Sequence, residues 1–293
     1  MKRLKTLWKK LRHRPMSLLG FALIGSFLSV AALAPVLAPR EAGSRDAYII
    51  PQTGYSPDPL RPTRAHPFGT TEQQYDLYYG MVWGTRTAFR VSLQVVGVSV
   101  ALGILLGGAA GFYGGWVDEA LMRLTDIILA FPDIVLAVVI VAIRGPSLDN
   151  VMLSVTAVSW PSYARLMRGD VLSIKERDFI VAARALGAGD ARILFRHIVP
   201  NAIYPVLVVA SLSMGRIVIT TAALSFLGLG SPVGYADWGQ LIALSRNWIL
   251  GTAADPFAYW HTVFIPGGTI FLFVLGWNLL GDAVRDILDP RQA

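Results

Sequence analysis

The stretch VSLQVVGVSVALGILLGGAAGFY, from Val91 to Tyr113, carries no charged side chain and is long enough to cross a lipid bilayer. A spanning α-helix needs roughly 20 apolar residues, because the hydrocarbon core is about 30 Å thick and each helical residue rises about 1.5 Å. Every backbone hydrogen bond in that core must be made internally, and a continuous apolar run lacks the alternation of barrel strands. The stretch therefore predicts a transmembrane helix.

Five other stretches qualify or nearly qualify, so we expect six transmembrane helices. They lie at about residues 16–38, 121–143, 151–167, 202–227 and 259–280. The composition agrees, since 54% of the 293 residues are hydrophobic and 15% are charged, whereas a soluble domain carries about 25% charge. The uncharged run after Arg14 is too long for a signal-peptide core, so the first helix is expected to be retained. The sequence predicts an all-α integral membrane protein.

The basic residues set the predicted orientation, because cytoplasmic loops carry an excess of Lys and Arg. One basic group forms the N-terminal tail before the first helix, and a second lies between the fourth and fifth helices. With both groups inside, both termini are cytoplasmic and residues 39–88 form a long external segment. A short helix is expected there, from about Thr70 to Thr85. The net charge of +7 is thus a topology signal and not a nucleic-acid footprint.

The connection between the fourth and fifth helices is the most informative segment. It reads GDVLSIKERDFIVAARALGAGDARILFRHIVPN from Gly169 to Asn201. Small and apolar side chains recur there at helical spacing, which predicts a short amphipathic helix containing Phe179, Ala182, Ala183 and Leu186. Glycines end this helix at 187 and 189, and Asp190 is placed to cap a second one. From these residues alone, the element either rests on anionic lipid or contacts another protein.

The same segment resembles the cytoplasmic EAA signature of ABC importer permeases. The matching residues are Ala182-Ala183, Gly187 and Ile198-Val199-Pro200. Further stretches resemble motifs of the dipeptide, oligopeptide and nickel permease subfamily, at His66–Thr70, Tyr113–Glu119, Ala130–Pro132, Leu224–Gly230, Trp238-Gly239, Gly276–Asp282 and Asp289–Arg291. Three positions depart from the pattern: Val181 replaces the signature Glu, Thr221 replaces a common Glu, and only Asp76 remains of the motif after Thr70.

This resemblance implies a six-helix type I ABC importer (MetI-like) permease fold with a cytoplasmic coupling helix. Residues 1–85 would form the basic tail, first helix and external segment, and residues 86–293 a five-helix core with the EAA-like loop at about 170–200. In such proteins this loop docks on an ATPase. The implied coupling residues are Val181, Ala182, Ala183, Arg184, Leu186, Gly187 and Asp190.

The resemblance also implies partners in a bacterial or archaeal cytoplasmic membrane. These are a second, homologous permease subunit, two cytoplasmic ATPases and an extracytoplasmic substrate-binding protein. The chain itself would be non-catalytic, with ATP and Mg²⁺ held by the partner ATPases. It has no Gly-x-x-x-x-Gly-Lys phosphate loop. Its four His are scattered and it has no Cys, so no cofactor or metal site is expected.

Two charges within the predicted spans, Arg216 and Asp133, are candidates for the translocation path. An unpaired charge there costs at least about 2.5–3.5 kcal/mol, so each should face protein or a watery cavity. Arg216 either meets a carboxylate of the passing substrate or pairs with Asp133, Asp126 or the second permease. For both aspartates, structural pairing is favoured.

The expected function is the permease subunit of an ATP-driven peptide importer. One alternative keeps this architecture and imports nickel chelates or oligosaccharides. Another is an ion-gradient-driven transporter, which would have no use for a docking helix. A membrane-embedded enzyme is disfavoured, because no convergent set of His, Asp or Ser is visible.

Overall fold

The computed structural model describes residues 15–41, 43–44 and 46–288, so the basic tail before residue 15 and the Asp289–Arg291 motif lie outside the described residues. The described part is helical, with three isolated β-bridges in place of strands. Its helices are α1 Pro15–Leu37, α2 Leu77–Tyr113, α3 Gly115–Leu129, α4 Asp133–Arg144, α5 Leu148–Ile174, α6 Asp178–Ala185, α7 Asp190–Phe226, α8 Trp238–Ala243 and α9 His261–Leu288.

Four of these helices are long and apolar enough to cross a membrane: α1, α2, α7 and α9. A fifth candidate span is the bent pair α3 and α4. Helix α5 has 27 residues, or about 40 Å, but it is less apolar because it contains Arg165, Arg168 and Asp170. The multi-pass, all-helical fold is therefore confirmed, and the count of six stays a prediction.

The external segment does not contain the separate helix expected from about Thr70 to Thr85. Residues Glu72–Gln74 form a single 3₁₀ turn, and α2 then runs unbroken from Leu77 to Tyr113. Asp76 caps its N-terminus by accepting a hydrogen bond from Tyr79 N at 2.8 Å. The same carboxylate is hydrogen-bonded to His66 Nδ1 at 2.6 Å. The expected boundary at residues 85 and 86 thus falls inside α2.

The third expected span, residues 121–143, is not one straight helix. Helices α3 and α4 are bent by 88° at Ala130–Pro132. Proline has no backbone N–H to donate and disfavours helical geometry in the residue before it, which explains the break at Phe131. The carboxylate of Asp133 therefore lies in the first turn of a new helix.

The fourth and fifth spans are longer than expected. Ser147 caps α5 by accepting a hydrogen bond from Asn150 N at 3.1 Å, so this helix begins before residue 151 and continues to Ile174. Helix α7 begins at Asp190 and passes through a π-helical turn, Ile193–Ile198, without a break. The expected cap at Asp190 is wrong, because Gly189 occupies the cap position and Asp190 is already in the first turn.

Two buried clusters hold these helices together. The larger one joins α2, α4, α5, α6 and α7. Helices α2 and α5 approach closely there, since a Cβ added at Gly103 would meet Tyr163 and one at Gly107 would meet the backbone of Ala164. The second cluster joins α1, α2, α8 and α9 around the rings of Trp238 and Phe273, whose centroids are 5.5 Å apart.

Candidate functional site

Helix α6 is the short amphipathic helix predicted between the fourth and fifth spans. One of its side chains, Ile180, is only 1% exposed and joins the larger buried cluster with Ile174 and Ile193. Its neighbours are open, since Val181 is 60% exposed and Leu186 is 88% exposed. The helix is therefore anchored on one side and presents apolar side chains without a partner within the described chain on the other.

The end of α6 is a tight turn centred on Gly187. The N–H groups of Leu186, Gly187 and Ala188 donate to the carbonyls of Ala182, Arg184 and Ala183 at 3.0–3.1 Å. Gly187 has a φ of +81°, a conformation that costs other residues energy. By contrast, Gly189 has a φ of −70°. The turn leads straight into the π-helical start of α7, so α6 is joined to a spanning helix by a few residues.

Most predicted coupling residues share this open surface. Exposed positions are Val181, Ala182, Arg184, Leu186, Gly187 and Asp190, and Ala183 is half-buried. The structure thus brings the set together on one helix–turn–helix element. Their role in coupling stays a prediction. Phe179, which was predicted within this helix but not among the coupling residues, is also exposed beside them.

Ion pairs tie α3 to α5 near this element. Arg168 donates two hydrogen bonds to Asp118, at 2.5 and 2.6 Å, and Arg165 donates one to Asp126 at 2.6 Å. Lys175 Nζ also donates to the carbonyl of Gly111 at 3.0 Å. The bidentate geometry makes the Arg168–Asp118 pair the more restrictive of the two.

A cavity of about 250 Å³ lies between α4, α5 and α7. Arg216 of α7 donates a hydrogen bond to Asp133 of α4 in its lining. Asp126 and Asp133 are therefore each paired with an arginine of a neighbouring helix, and Arg216 is also a cavity-lining residue. The role of these charges stays a prediction. Thr221, in place of the common Glu, is buried and donates to the carbonyl of Val218 at 3.1 Å.

Sequence reasoning missed the hydroxyl groups that surround this pair. The cavity is also lined by Ser159, Ser162, Tyr163, Ser213 and Thr220. The signal was available, because 159, 162 and 163 share a helical face, as do 213, 216 and 220. Neutral polar side chains on facing helices indicate a water-accessible space rather than a lipid contact.

A buried carboxylate outside the spans was also missed. Asp237 accepts hydrogen bonds from Ser225 Oγ at 2.5 Å, Ser231 Oγ at 3.1 Å and Gly239 N at 3.0 Å. Burial raises the pKa of Asp237 above its ordinary value, against these hydrogen bonds. The network fixes the chain between α7 and α8.

The external segment after α1 contacts the connection between α7 and α8. Ile50 N donates to Gly234 O at 2.8 Å, and Ala236 N donates to Tyr48 O at 2.7 Å. The rings of Tyr48 and Tyr235 stack with centroids 5.4 Å apart. The segment after α1 is therefore attached to the exit of α7.

Comparison with known proteins gives a consistent result. Residues 100–293 match the family described as "Binding-protein-dependent transport system inner membrane component". The chain is 39% identical over 285 residues to a dipeptide transport system permease protein of Alkalihalophilus pseudofirmus, covering 97% of this chain and 89% of that protein.

Two other relatives are similar over nearly their whole lengths. A glutathione transport system permease protein of Pectobacterium atrosepticum is 35% identical, with 97% of this chain and 90% of that protein covered. A di/tripeptide transport system permease protein of Pseudomonas aeruginosa is 37% identical, with 98% and 92% covered. Among solved structures, an amino acid ABC transporter shares the fold at a TM-score of 0.50 and 17% identity, covering 69% of this chain and 91% of that one.

Proposed function

This chain belongs to the family of binding-protein-dependent transport system inner membrane components, and on that premise we propose that it forms half of a translocation path for peptides. It is a permease subunit of an ABC importer of the peptide family. The relatives named for dipeptides, di/tripeptides and glutathione cover nearly the whole chain, which supports peptide cargo over nickel chelates or oligosaccharides. The family assignment also favours an ATP-driven importer over the ion-gradient-driven transporter.

We propose that α6 is the contact with the ATPase. The observation that carries this is the open apolar surface of Val181 and Leu186 beside the buried anchor Ile180. A soluble partner that covers these side chains gains the free energy of removing them from water. Since Val181 stands where the signature has Glu, the contact at this point is apolar packing and not a carboxylate bond.

The proposed mechanism is alternating access. ATP binding closes the ATPase dimer, and the docked helix moves with it as a rigid body. Because α6 joins α7 through the short turn after Ala185 and lies next to α5, both spanning helices follow and the cavity changes the side to which it opens. Only contacts that differ between the two states can bias this switch.

The assembly proposed around this chain contains one homologous permease, two ATPases and one extracytoplasmic binding protein. ATP and Mg²⁺ belong to the ATPases, and no cofactor is assigned to this chain. Both termini and α6 face the cytoplasm, as the distribution of Lys and Arg predicts. The coupling residues 181–184, 186, 187 and 190 then face the motor, while Arg216 and Asp133 face the path.

The test compares two equally exposed leucines, Leu186 at 88% and Leu250 at 85%. Leu186→Asp should leave the protein inserted but reduce the amount of ATPase that co-purifies and abolish ATP-driven uptake of a labelled dipeptide in proteoliposomes. Leu250→Asp, in the connection between α8 and α9, should retain the ATPase. Equal retention by both variants would contradict the docking surface, and uptake of Ni²⁺ chelate or oligosaccharide but no peptide would contradict the cargo.

A further inference from the structure

The ion pair of Arg216 and Asp133 differs from the other interhelical pairs of the described chain in its surroundings. Its side chains are 71% and 50% exposed, and both line the cavity between α4, α5 and α7. The Arg168–Asp118 pair, by comparison, is 32% and 18% exposed, and the Arg165–Asp126 pair, although 55% and 64% exposed, does not line this cavity. A molecule in the cavity can therefore reach both charged groups without unpacking a helix.

The position of the pair along the helices is deep. Arg216 lies ten residues before Phe226, the last residue of α7, and 17 after Val199, which follows the π-helical turn, so it is about 15 Å from the end of the helix and about 26 Å from the π-helical turn. Asp133 lies at the break of the α3–α4 span, in the first turn of α4. Two charges at this depth are costly unless they are paired or hydrated, so any ligand that separates them must replace both partners.

The rest of the lining is suited to a polar ligand with N–H donors. Ser213 Oγ donates to Val209 O at 2.8 Å, and Thr220 Oγ1 donates to Arg216 O at 3.1 Å. Since each hydroxyl uses its proton within α7, its oxygen remains an acceptor on the cavity side. Among the described residues of the lining, Asp133 and Arg216 carry the charge.

We propose that this pair is a receptor for zwitterionic cargo, which opens it and binds across it. The cargo carboxylate takes the guanidinium of Arg216, whose planar fork fits a carboxylate, and the cargo ammonium takes the carboxylate of Asp133. One ion pair is exchanged for two, so no charge is left bare. The inference rests on the proposed function and adds the recognition of both peptide termini within the membrane path.

The size of the site matches a short peptide. The cavity has a volume of about 250 Å³, and two extended residues span at most about 7 Å. Because the arginine side chain is long and more than half exposed, it can swing away from Asp133 to make room. Since the cavity is open in the single chain, the second permease subunit would supply its remaining wall.

The first experiment uses the absence of Cys from this chain. A Ser162→Cys variant places one thiol in the cavity lining of the assembled complex, and its labelling by a maleimide is read on this chain alone. Free dialanine should slow the labelling, whereas N-acetyl-dialanine amide at the same concentration should not. An Ala254→Cys variant, exposed outside the cavity, should be labelled equally in all cases. Thr220→Cys serves as a second reporter if Ser162→Cys does not assemble.

The second step separates recognition from mere structural pairing. Arg216→Gln and Asp133→Asn together remove both charges but keep hydrogen-bonding groups, so a structural pair should be largely preserved. Under the proposal, this double variant loses protection by dialanine, and the concentration for half-protection rises about tenfold or more. Protection that is equal for the zwitterion and the capped amide, or unchanged in the double variant, would overturn it.

This result is separable from the proposed function. Labelling needs neither ATP nor the binding protein, whereas uptake needs both. If the wild-type complex fails to take up any peptide with ATP, the proposed function fails. If it takes up peptide and the double variant does so with unchanged kcat and KM, only the charged receptor fails.

Discussion

The turn after α6 provides a prediction whose magnitude follows from the backbone. Gly187 has a φ of +81°, and a Cβ added there would meet nothing within 4 Å. The cost of Gly187→Ala is therefore conformational and not steric, about 1–2 kcal/mol for an L-residue in the left-handed region. This corresponds to a factor of roughly 5–30 in the population of the turn.

Gly189 is a matched control two residues away. It too has no atom within 4 Å of an added Cβ, but its φ of −70° suits any residue. Gly187→Ala should therefore lower the rate of ATP-coupled peptide uptake several-fold while insertion and assembly are retained, and Gly189→Ala should be near wild type. Gly187→Asn should fall between them, because Asn tolerates the left-handed region better than Ala.

The assay is the ratio of peptide transported to ATP hydrolysed in proteoliposomes. The reasoning predicts that this ratio falls for Gly187→Ala, because a turn that leaves its native conformation no longer transmits movement from α6 to α7. Equal ratios for the two alanine variants would refute the view that the conformation of this turn matters for coupling. A drop in assembled complex for Gly187→Ala alone would place the effect in folding instead.

Three further predictions concern other contacts. Ala183→Arg places a cation on the half-buried side of α6 and should uncouple ATP hydrolysis from uptake, as measured by the same ratio. Asp118→Asn breaks a bidentate pair that is at most 32% exposed and should destabilise the protein by about 1–2 kcal/mol. Asp126→Asn, in a pair more than half exposed, should lower the free energy of unfolding by at most about 1 kcal/mol. Thermal unfolding of the Asp118→Asn and Asp126→Asn variants in detergent measures this difference. Burial raises the pKa of Asp237 in the folded state above its value of 3.8 in the unfolded chain, so the folded form gains a proton relative to the unfolded form as pH falls toward the folded pKa. The stability of wild type relative to Asp237→Asn should therefore rise on acidification from neutral pH and level off below about pH 3.8; a difference that falls over this range would contradict the raised pKa.

Much of the fold was predictable because lipid imposes a strong constraint on sequence. Long uncharged runs predicted α1, α2 and α9, and a run interrupted only by Arg216 predicted α7, since few other structures use such segments. Helical spacing around Ala182 predicted α6. The element type was thus encoded locally at these places.

The predicted helix bounds were wrong where a local sequence signal is weaker than the hydropathy of the residues on either side. Pro132 was available as a break signal, yet hydropathy on both sides favoured one continuous span. The start of α2 depends on Asp76, whose role as a cap is visible only with its contacts to Tyr79 and His66. Helix α7 passes through Pro200 because the π-helical turn Ile193–Ile198 before it already interrupts the regular pattern of backbone hydrogen bonds.

The site was predictable only in part, because pairing between helices depends on tertiary packing. Arg216 and Asp133 were singled out by the cost of charge in a membrane, but the sequence left open which partner Arg216 takes. The hydroxyl side chains at 159 and 162 share one helical face, as 213 does with 216 and 220, so the sequence contained a signal for this polar lining. The Asp237 network joins residues 225, 231 and 239, and no periodicity marks it.

The most direct measurement of the central claim is cross-linking from a single thiol on the open surface of α6. Leu186→Cys, the exposed leucine after the last helical residue, should form a bismaleimide cross-link to the cytoplasmic ATPase subunit, and the yield should change when ATP is bound. Leu250→Cys should give no such product. A Leu186→Cys variant that never cross-links to the ATPase, or that is labelled by a membrane-impermeant maleimide from outside intact cells, would contradict the account.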